Sequence, residues 1–421
     1  MNSEKILEGI KPSPKEINEF RLQVKEFVKK LEKIVKSLKI KVDVFVGGSF
    51  AKGTVMKKDV YDADVFLRFD KRHKNDMQKL MEKILSEFSD KTKIHGSRDY
   101  FIIKMSNSFV IEVVPVLKIK SPREAENITD LSYFHVNYIR RKLSKKLLNE
   151  TVLAKTFCHA SGCYGAESYI KGFSGYGIEL LINEYKSFSK FVREISKMNV
   201  NEKKVIDTDK KFKNRQEILM NLNGAKLQSP IVLIDPTFKQ RNALAALSKE
   251  TFIKFQKYCK EFLKNPNERF FDKKESDFAK LAESAKKRKS DFTAIEIKTD
   301  RQEGDIAGSK LLKFYEHILE ELEKSFVIKK KEFDYENGKK AKCFFEAKSR
   351  KEILHKGPKT NDEENVKNFR KKHKNTFTKS GRIYSKEKIN FKIGKFLEAW
   401  KAKNAKRMKE MHVVGFEIVK V

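Results

Sequence analysis

The 421-residue sequence predicts an α+β protein of several domains. Three observations carry that expectation. The chain is longer than a single core usually fills. Helix-period and strand-period apolar runs alternate through its first third. The pattern then changes character twice, giving an expected mixed α/β domain at 1–134, a helical domain at 135–265, and an α/β body with a basic tail at 266–421. With 39% hydrophobic residues and 33 Phe, there is enough apolar material for such cores.

The elements follow in order. From Ile17, the residues Phe20, Val24, Phe27, Val28, Leu31, Ile34, Val35 and Leu38 recur at helical spacing with Lys and Glu between them, which predicts one amphipathic helix. The run VDVFVGGS is β-branched and aromatic and closes on glycines, as a strand entering a turn does. After the expected turn GGSFAKGT comes a second strand, YDADVFLRF, and then an amphipathic helix over 75–88. YFIIKM and FVIEVVPV, joined by Ser106-Asn107-Ser108, read as a hairpin, so a mixed or mostly antiparallel sheet is expected. Helical patterns such as YIRRKLSKKLLNETVLAKTFCHA dominate the second domain. In the third, 292–299 reads as a strand, 309–325 as a helix and FVIKKKEFDY as a strand that turns through Glu336-Asn337-Gly338 into AKCFFEAKS. Strand, helix, strand, strand resembles part of a ferredoxin-like fold, on which RNA-binding sheets are often built.

Charge narrows the function. A net charge of +35, from 93 Lys+Arg against 58 Asp+Glu, attracts polyanions, with nucleic acid the first expectation, an anionic membrane surface the second, and a lysine-rich proteome the bland alternative. No apolar run is long enough to span a bilayer and the N-terminal stretch lacks a signal-peptide core, so a cytoplasmic protein is expected. Cys158, Cys163, Cys259 and Cys343 are too scattered for a zinc site and are expected as buried thiols.

The chemistry gathers at GGSFAKGT and the strand behind it. A P-loop reads G-x-x-x-x-G-K-[ST], whereas here Lys52 precedes Gly53 and Thr54. Asp62 and Asp64 stand two apart on a predicted strand, so both project from one face about 7 Å apart, while Ala63 and Val65 face the core. Glu112 is a lone acid in the apolar strand VIEVV, where an unpaired charge is costly. Alone, a D-x-D pair is more often a solvated strand face. A Gly-Ser turn, D-x-D and a later strand carboxylate together point to two-metal nucleotidyl transfer, with Mg²⁺ ions about 3.5–4 Å apart.

The turn and YDADVFLRF resemble the polymerase-β-like nucleotidyltransferases. IEVVP, TDLSYFHVNYI, CYGAE, IKGFSGYGIELLI, IDPTFKQRNALAALS and HKGP narrow the resemblance to archaeal, class I CCA-adding tRNA nucleotidyltransferases, over most of the chain. The resemblance implies a catalytic head, a helical neck, and a body and tail that hold the tRNA acceptor end, with C, C and A added from CTP and ATP. It implies Asp62, Asp64 and Glu112 as ligands of two Mg²⁺, and Ser49, Lys52, Lys155 and Tyr164 around the triphosphate. His135 and, more weakly, Ser132 become nucleotide contacts, and Arg241 becomes the reader of the base edge. Each has a structural alternative: a helix-start histidine, a solvated lysine, a core tyrosine, a helix-bracing arginine. The family usually has Asp where Glu112 stands, Thr-Pro where Ser132-Tyr133 stands, and a histidine in a region where His95 and Arg98 both compete. A related poly(A) or oligoadenylate polymerase, or a non-catalytic RNA-binding protein, is the alternative reading, and a homodimer is left open.

Overall fold

The computed structural model describes residues 3–273, 277–336, 338–350, 352–388 and 391–419. The chain divides into two compact units, Met1–Lys274 and Glu275–Val421, so the expected head and neck lie together in the first.

The first unit opens with α1 (Ser3–Ile10) and α2 (Pro14–Ser37). Ser13 starts α2 with a capping box: its hydroxyl accepts the Glu16 N–H, the Glu16 carboxylate accepts the Ser13 N–H, and Pro14 sits where no helical N–H is needed. The stripe Phe20, Val24, Phe27, Leu31 and Ile34 packs on a sheet. That sheet takes β1 (Val42–Val46), then after α3 (Gly48–Lys52) β2 (Tyr61–Phe69), then after α4 (Met77–Ile84) β3 (Lys91–Ile94), β4 (Tyr100–Lys104) and β5 (Phe109–Leu117). Its order is β1-β2-β5-β4-β3, with β2 and β5 parallel and the other neighbours antiparallel. The expected β4–β5 hairpin is present, with Phe101 opposite Val113. Strand alternation puts Tyr61, Ala63, Val65 and Leu67 in the core under α2 and leaves Asp62 and Asp64 on the other face.

GGSFAKGT is not the open turn expected. Gly48–Lys52 forms a short helix, closed by Gly53 in the left-handed conformation at φ 73°. Five residues between glycines are too few to show a helical period.

The helical part follows as α5 (Ser132–Lys142), α6 (Lys145–Ala160), α7 (Gly175–Tyr185), α8 (Phe188–Lys197), β6 (Lys204–Ile206), α9 (Arg215–Asn221), β7 (Ile231–Leu233) and α10 (Lys249–Lys264). Its core is aromatic, built on Phe157, Phe173, Phe188, Phe191, Phe255 and Phe262. Two departures from expectation stand out. Ile6 of α1 is buried in this helical core although it lies in the sequence expected for the head, and β6 pairs in parallel with β7 inside a region read as helical.

The second unit runs α11 (Phe278–Lys287), β8 (Asp291–Thr299), α12 (Asp305–Ser325), β9 (Phe326–Tyr335), β10 (Lys340–Ser349), β11 (Glu352–Lys359), α13 (Glu363–Lys372), β12 (Thr376–Lys379), β13 (Arg382–Lys388), α14 (Ile393–Lys403), α15 (Ala405–Glu410) and β14 (Val413–Val419). Its larger sheet has the order β14-β8-β10-β9, all antiparallel. That is a strand-helix-strand-strand-helix-strand unit of ferredoxin-like topology, with β11-β13-β12 and α13 inserted before α14. Asn337 of the expected turn lies outside the described residues. All four cysteines are free and buried, and among the described residues no helix is long and apolar enough to cross a membrane.

Candidate active site

The parallel pairing of β2 and β5 sets Asp64 directly beside Glu112, one strand spacing of about 4.8 Å away, with Asp62 next along the same face. Gly48 makes room for this arrangement. Its φ is 62°, and a Cβ there would lie 1.6 Å from Asp64 Oδ2. Burial, and then the charge of Asp62, push the Asp64 carboxyl up. Burial, and then Asp64 and Asp62, do the same to Glu112. Lys58 forms an ion pair with Asp62, supplying part of the missing positive charge. Farther along this face Phe66, Val114 and Val116 pack with Phe45 and Tyr100. Tyr133, in place of the family's proline, packs edge-on against Phe45 and lies under the Arg68 guanidinium at 3.8 Å.

Among the described residues, no three His, Cys, Asp or Glu side chains form a ready-made metal cage. Mg²⁺ seldom uses one, binding instead through one or two carboxylates plus substrate phosphates and water. Asp64 and Glu112, held side by side with their proton affinities raised, fit a divalent cation.

Next to the carboxylates lies a buried charge cluster. Glu179 of α7 is fully buried and accepts hydrogen bonds from Lys155 Nζ (2.7 Å), Lys52 Nζ (2.8 Å) and Thr54 Oγ1 (3.0 Å). Lys155 also donates to Thr54 Oγ1 at 2.9 Å. Burial would raise the Glu179 carboxyl, but Lys155 and Lys52 outweigh it and hold it well below the usual range. Burial pulls the Lys155 ammonium down to about 8, with Glu179 opposing. The alternative of a solvated lysine therefore fails for Lys155, and Lys52 too is tied to Glu179. Arg140 Nε donates to the Ala51 carbonyl at 2.9 Å, fixing α3 against α5. The Tyr164 hydroxyl lies over Gly175 at the start of α7, with Lys155 alongside.

Asp235 organises a second cluster. Its carboxylate accepts from His135 Nε2 (2.9 Å), Arg241 Nη1 (2.8 Å), the Tyr176 hydroxyl (3.1 Å) and the Thr237 hydroxyl and N–H (2.8 Å each). The His135 ring stacks on Tyr176 at 4.0 Å, and burial lowers its proton affinity against the pull of Asp235. Arg241 is held by Asp235 within the segment that follows β7 rather than against a helix end, and its Nε is buried without a partner. Lys52 Nζ reaches within 6.0 Å of the Tyr176 ring centroid, so the two clusters adjoin.

Ser49 lies in α3 and Ser132 begins α5. Arg98 is committed elsewhere: it forms a bidentate pair with buried Asp130, whose oxygens also hold the N–H groups of Leu117, Glu126 and Asn127. His95 is exposed and bonds Asp99. Sequence reasoning missed Glu179, Asp235, Tyr176 and Lys58. The first carried a signal, being the one acid inside the apolar run GYGIELLI, and Asp235 stood within the quoted IDPTFKQRN.

Residues 149–272 match the family model "tRNA nucleotidyltransferase, second domain", and residues 4–133 match the Second Messenger Oligonucleotide or Dinucleotide Synthetase domain. The CCA-adding enzyme of Nanoarchaeum equitans is 36% identical over 285 residues, covering 67% of this chain and 68% of its own. That of Methanocaldococcus jannaschii is 28% identical over 405 residues, covering 90% and 85%. Among solved structures, the RNA terminal uridylyl transferase Cid1 superposes with a TM-score of 0.50 at 13% identity, over 65% of this chain and 97% of Cid1, a likeness of fold.

Proposed function

We infer the function from one premise: the chain belongs to the archaeal CCA-adding enzymes, which are tRNA nucleotidyltransferases. It adds C, C and A to the 3′ end of tRNA. CTP and ATP are the proposed nucleotides and two Mg²⁺ the proposed metals, held by Asp62, Asp64 and Glu112. The observation that carries this reading is the register of Asp64 beside Glu112, with the lysine cluster adjoining. Bound Mg²⁺ supplies positive charge at the attacking and leaving oxygens.

The protein's own groups do the rest. Ser49, Lys52, Lys155 and Tyr164 grip the triphosphate, so that the α-phosphorus meets the 3′ hydroxyl oxygen. A new P–O bond then forms as the bond to pyrophosphate breaks. Arg241 and His135, oriented by Asp235, face the incoming base, with Ser132 at the edge of that contact. Arginine donors suit the ring-nitrogen acceptors of cytosine and adenine and oppose the N–H of uracil and guanine. The basic ferredoxin-like unit is the proposed holder of the acceptor end.

The test is extension of tRNA lacking CCA. CTP alone should add two residues, CTP with ATP three, and UTP or GTP none. Extension by ATP alone into an oligoadenylate tail would replace this reading with that of a poly(A)-type polymerase.

A further inference from the structure

We propose that Glu179 is a positioning residue that aims the Lys52 and Lys155 ammonium groups at the nucleotide triphosphate. This rests on the function proposed above and assigns a role to the buried acid which that function leaves unused.

The geometry is that of a clasp. Each lysine ammonium has three N–H donors. Lys155 commits one to Glu179 Oε1 and one to Thr54 Oγ1. Lys52 commits one to Glu179 Oε2. One carboxylate thus fixes two cations through separate oxygens, and both keep donors for phosphate. Lysine is a flexible four-carbon stem with a point charge, so an unanchored pair would lose orientation as well as repel. The clasp also spans the fold, because Lys52 and Thr54 follow β1 while Lys155 and Glu179 belong to α6 and α7. Two ammonium groups against one carboxylate leave a net positive charge in a largely buried site, where it acts strongly on a polyanion.

Lys155 faces Glu179 from α7, Lys52 from α3, Thr54, the Tyr164 hydroxyl, and more distantly Lys58 ahead of β2. Burial, Lys52 and Lys58 all favour loss of its proton, and Glu179 opposes them. Nucleotide binding should therefore weaken as pH rises through about 8, and removing the Glu179 charge should move that fall to lower pH.

The experiment uses the full chain with Mg²⁺ and ATP, without tRNA, measuring ATP binding by equilibrium dialysis beside steady-state extension. Glu179→Gln is expected to raise the ATP Kd and KM by about tenfold to a hundredfold, with kcat and tRNA affinity little changed. Glu179→Asp should recover part of the loss. In a Lys52→Met/Lys155→Met background, Glu179→Gln should add nothing, since it acts through those lysines. Wild-type ATP affinity in folded Glu179→Gln, or an equal penalty without the lysines, would overturn the proposal. Should Glu179→Gln fail to fold, Glu179→Asp decides: a raised ATP Kd is expected, and wild-type affinity overturns the proposal. A wild type that binds ATP as described but adds no CCA would instead overturn the function and leave the clasp standing.

Discussion

Gly48→Ala tests the carboxylate site through a residue with no chemistry of its own. An alanine Cβ would lie 1.6 Å from Asp64 Oδ2 and 2.5 Å from its Cγ, against a comfortable separation of about 3.5 Å. The Asp64 carboxylate must therefore leave the position it holds in the site. Gly53 is the matched control: its φ is also positive, at 73°, but the nearest atom to its Cβ is Leu148 Cδ1 at 3.7 Å. Alanine at either position costs about 1–2 kcal/mol for the left-handed backbone, which lowers the unfolding temperature by about 2–4 °C per kcal/mol. Only at Gly48 does the substitution displace Asp64, and a catalytic group misplaced by about 1 Å costs on the order of 100-fold in rate. Incorporation of labelled CTP into tRNA lacking CCA, with thermal unfolding in parallel, should show Gly48→Ala slowed about 100-fold or more and Gly53→Ala within a few fold of wild type. Equal activity of the two variants would refute the role of Gly48 in seating Asp64.

Further outcomes follow from the site and from the charge of the chain. Asp62→Ala should abolish addition and leave tRNA binding nearly intact by filter binding; parallel loss of both in a folded variant contradicts the division of labour. Glu112→Asp should retain activity while Glu112→Gln loses about 100-fold. In metal-free buffer at alkaline pH, Glu112→Gln should also unfold at a higher temperature than wild type. The folded-state pKa of Glu112 is raised by burial, Asp64 and Asp62, so the folded protein loses stability as pH rises through that value, a loss Gln does not suffer; an unchanged melting curve argues against it. Arg241→Ala should lower the ratio of CTP to UTP kcat/KM by about 5- to 150-fold, whereas Lys155→Ala should depress all nucleotides alike. Finally, tRNA affinity should fall steeply with salt, because lysine contacts to phosphate release counterions; a flat response excludes the net charge of +35 as the source of binding.

What the sequence made legible was local. The period of two in YDADVFLRF placed Asp62 and Asp64 on one face and Ala63 and Val65 in the core, and the lone acid of VIEVV marked Glu112 as their neighbour. The β4–β5 hairpin was similarly local. What stayed hidden depends on distant pairing. Glu179 is joined to Lys52, 127 residues earlier, and Asp235 to His135, 100 residues earlier. The membership of α1 in the helical core is set by where Ile6 packs, which its short amphipathic pattern cannot disclose. In the second unit, β14 completes the sheet after an intervening insertion, so the strand order could not be read from neighbouring segments.

One carboxylate site on β2 and β5 is proposed to perform all three additions. Comparing wild type with Asp64→Asn on three primers, tRNA ending before CCA, after the first C and after the second C, tests it directly. Wild type is expected to add C, C and A respectively, and the variant to lose all three additions in parallel. An Asp64→Asn protein that still adds A to the primer ending in CC, while failing to add C to the others, would contradict it.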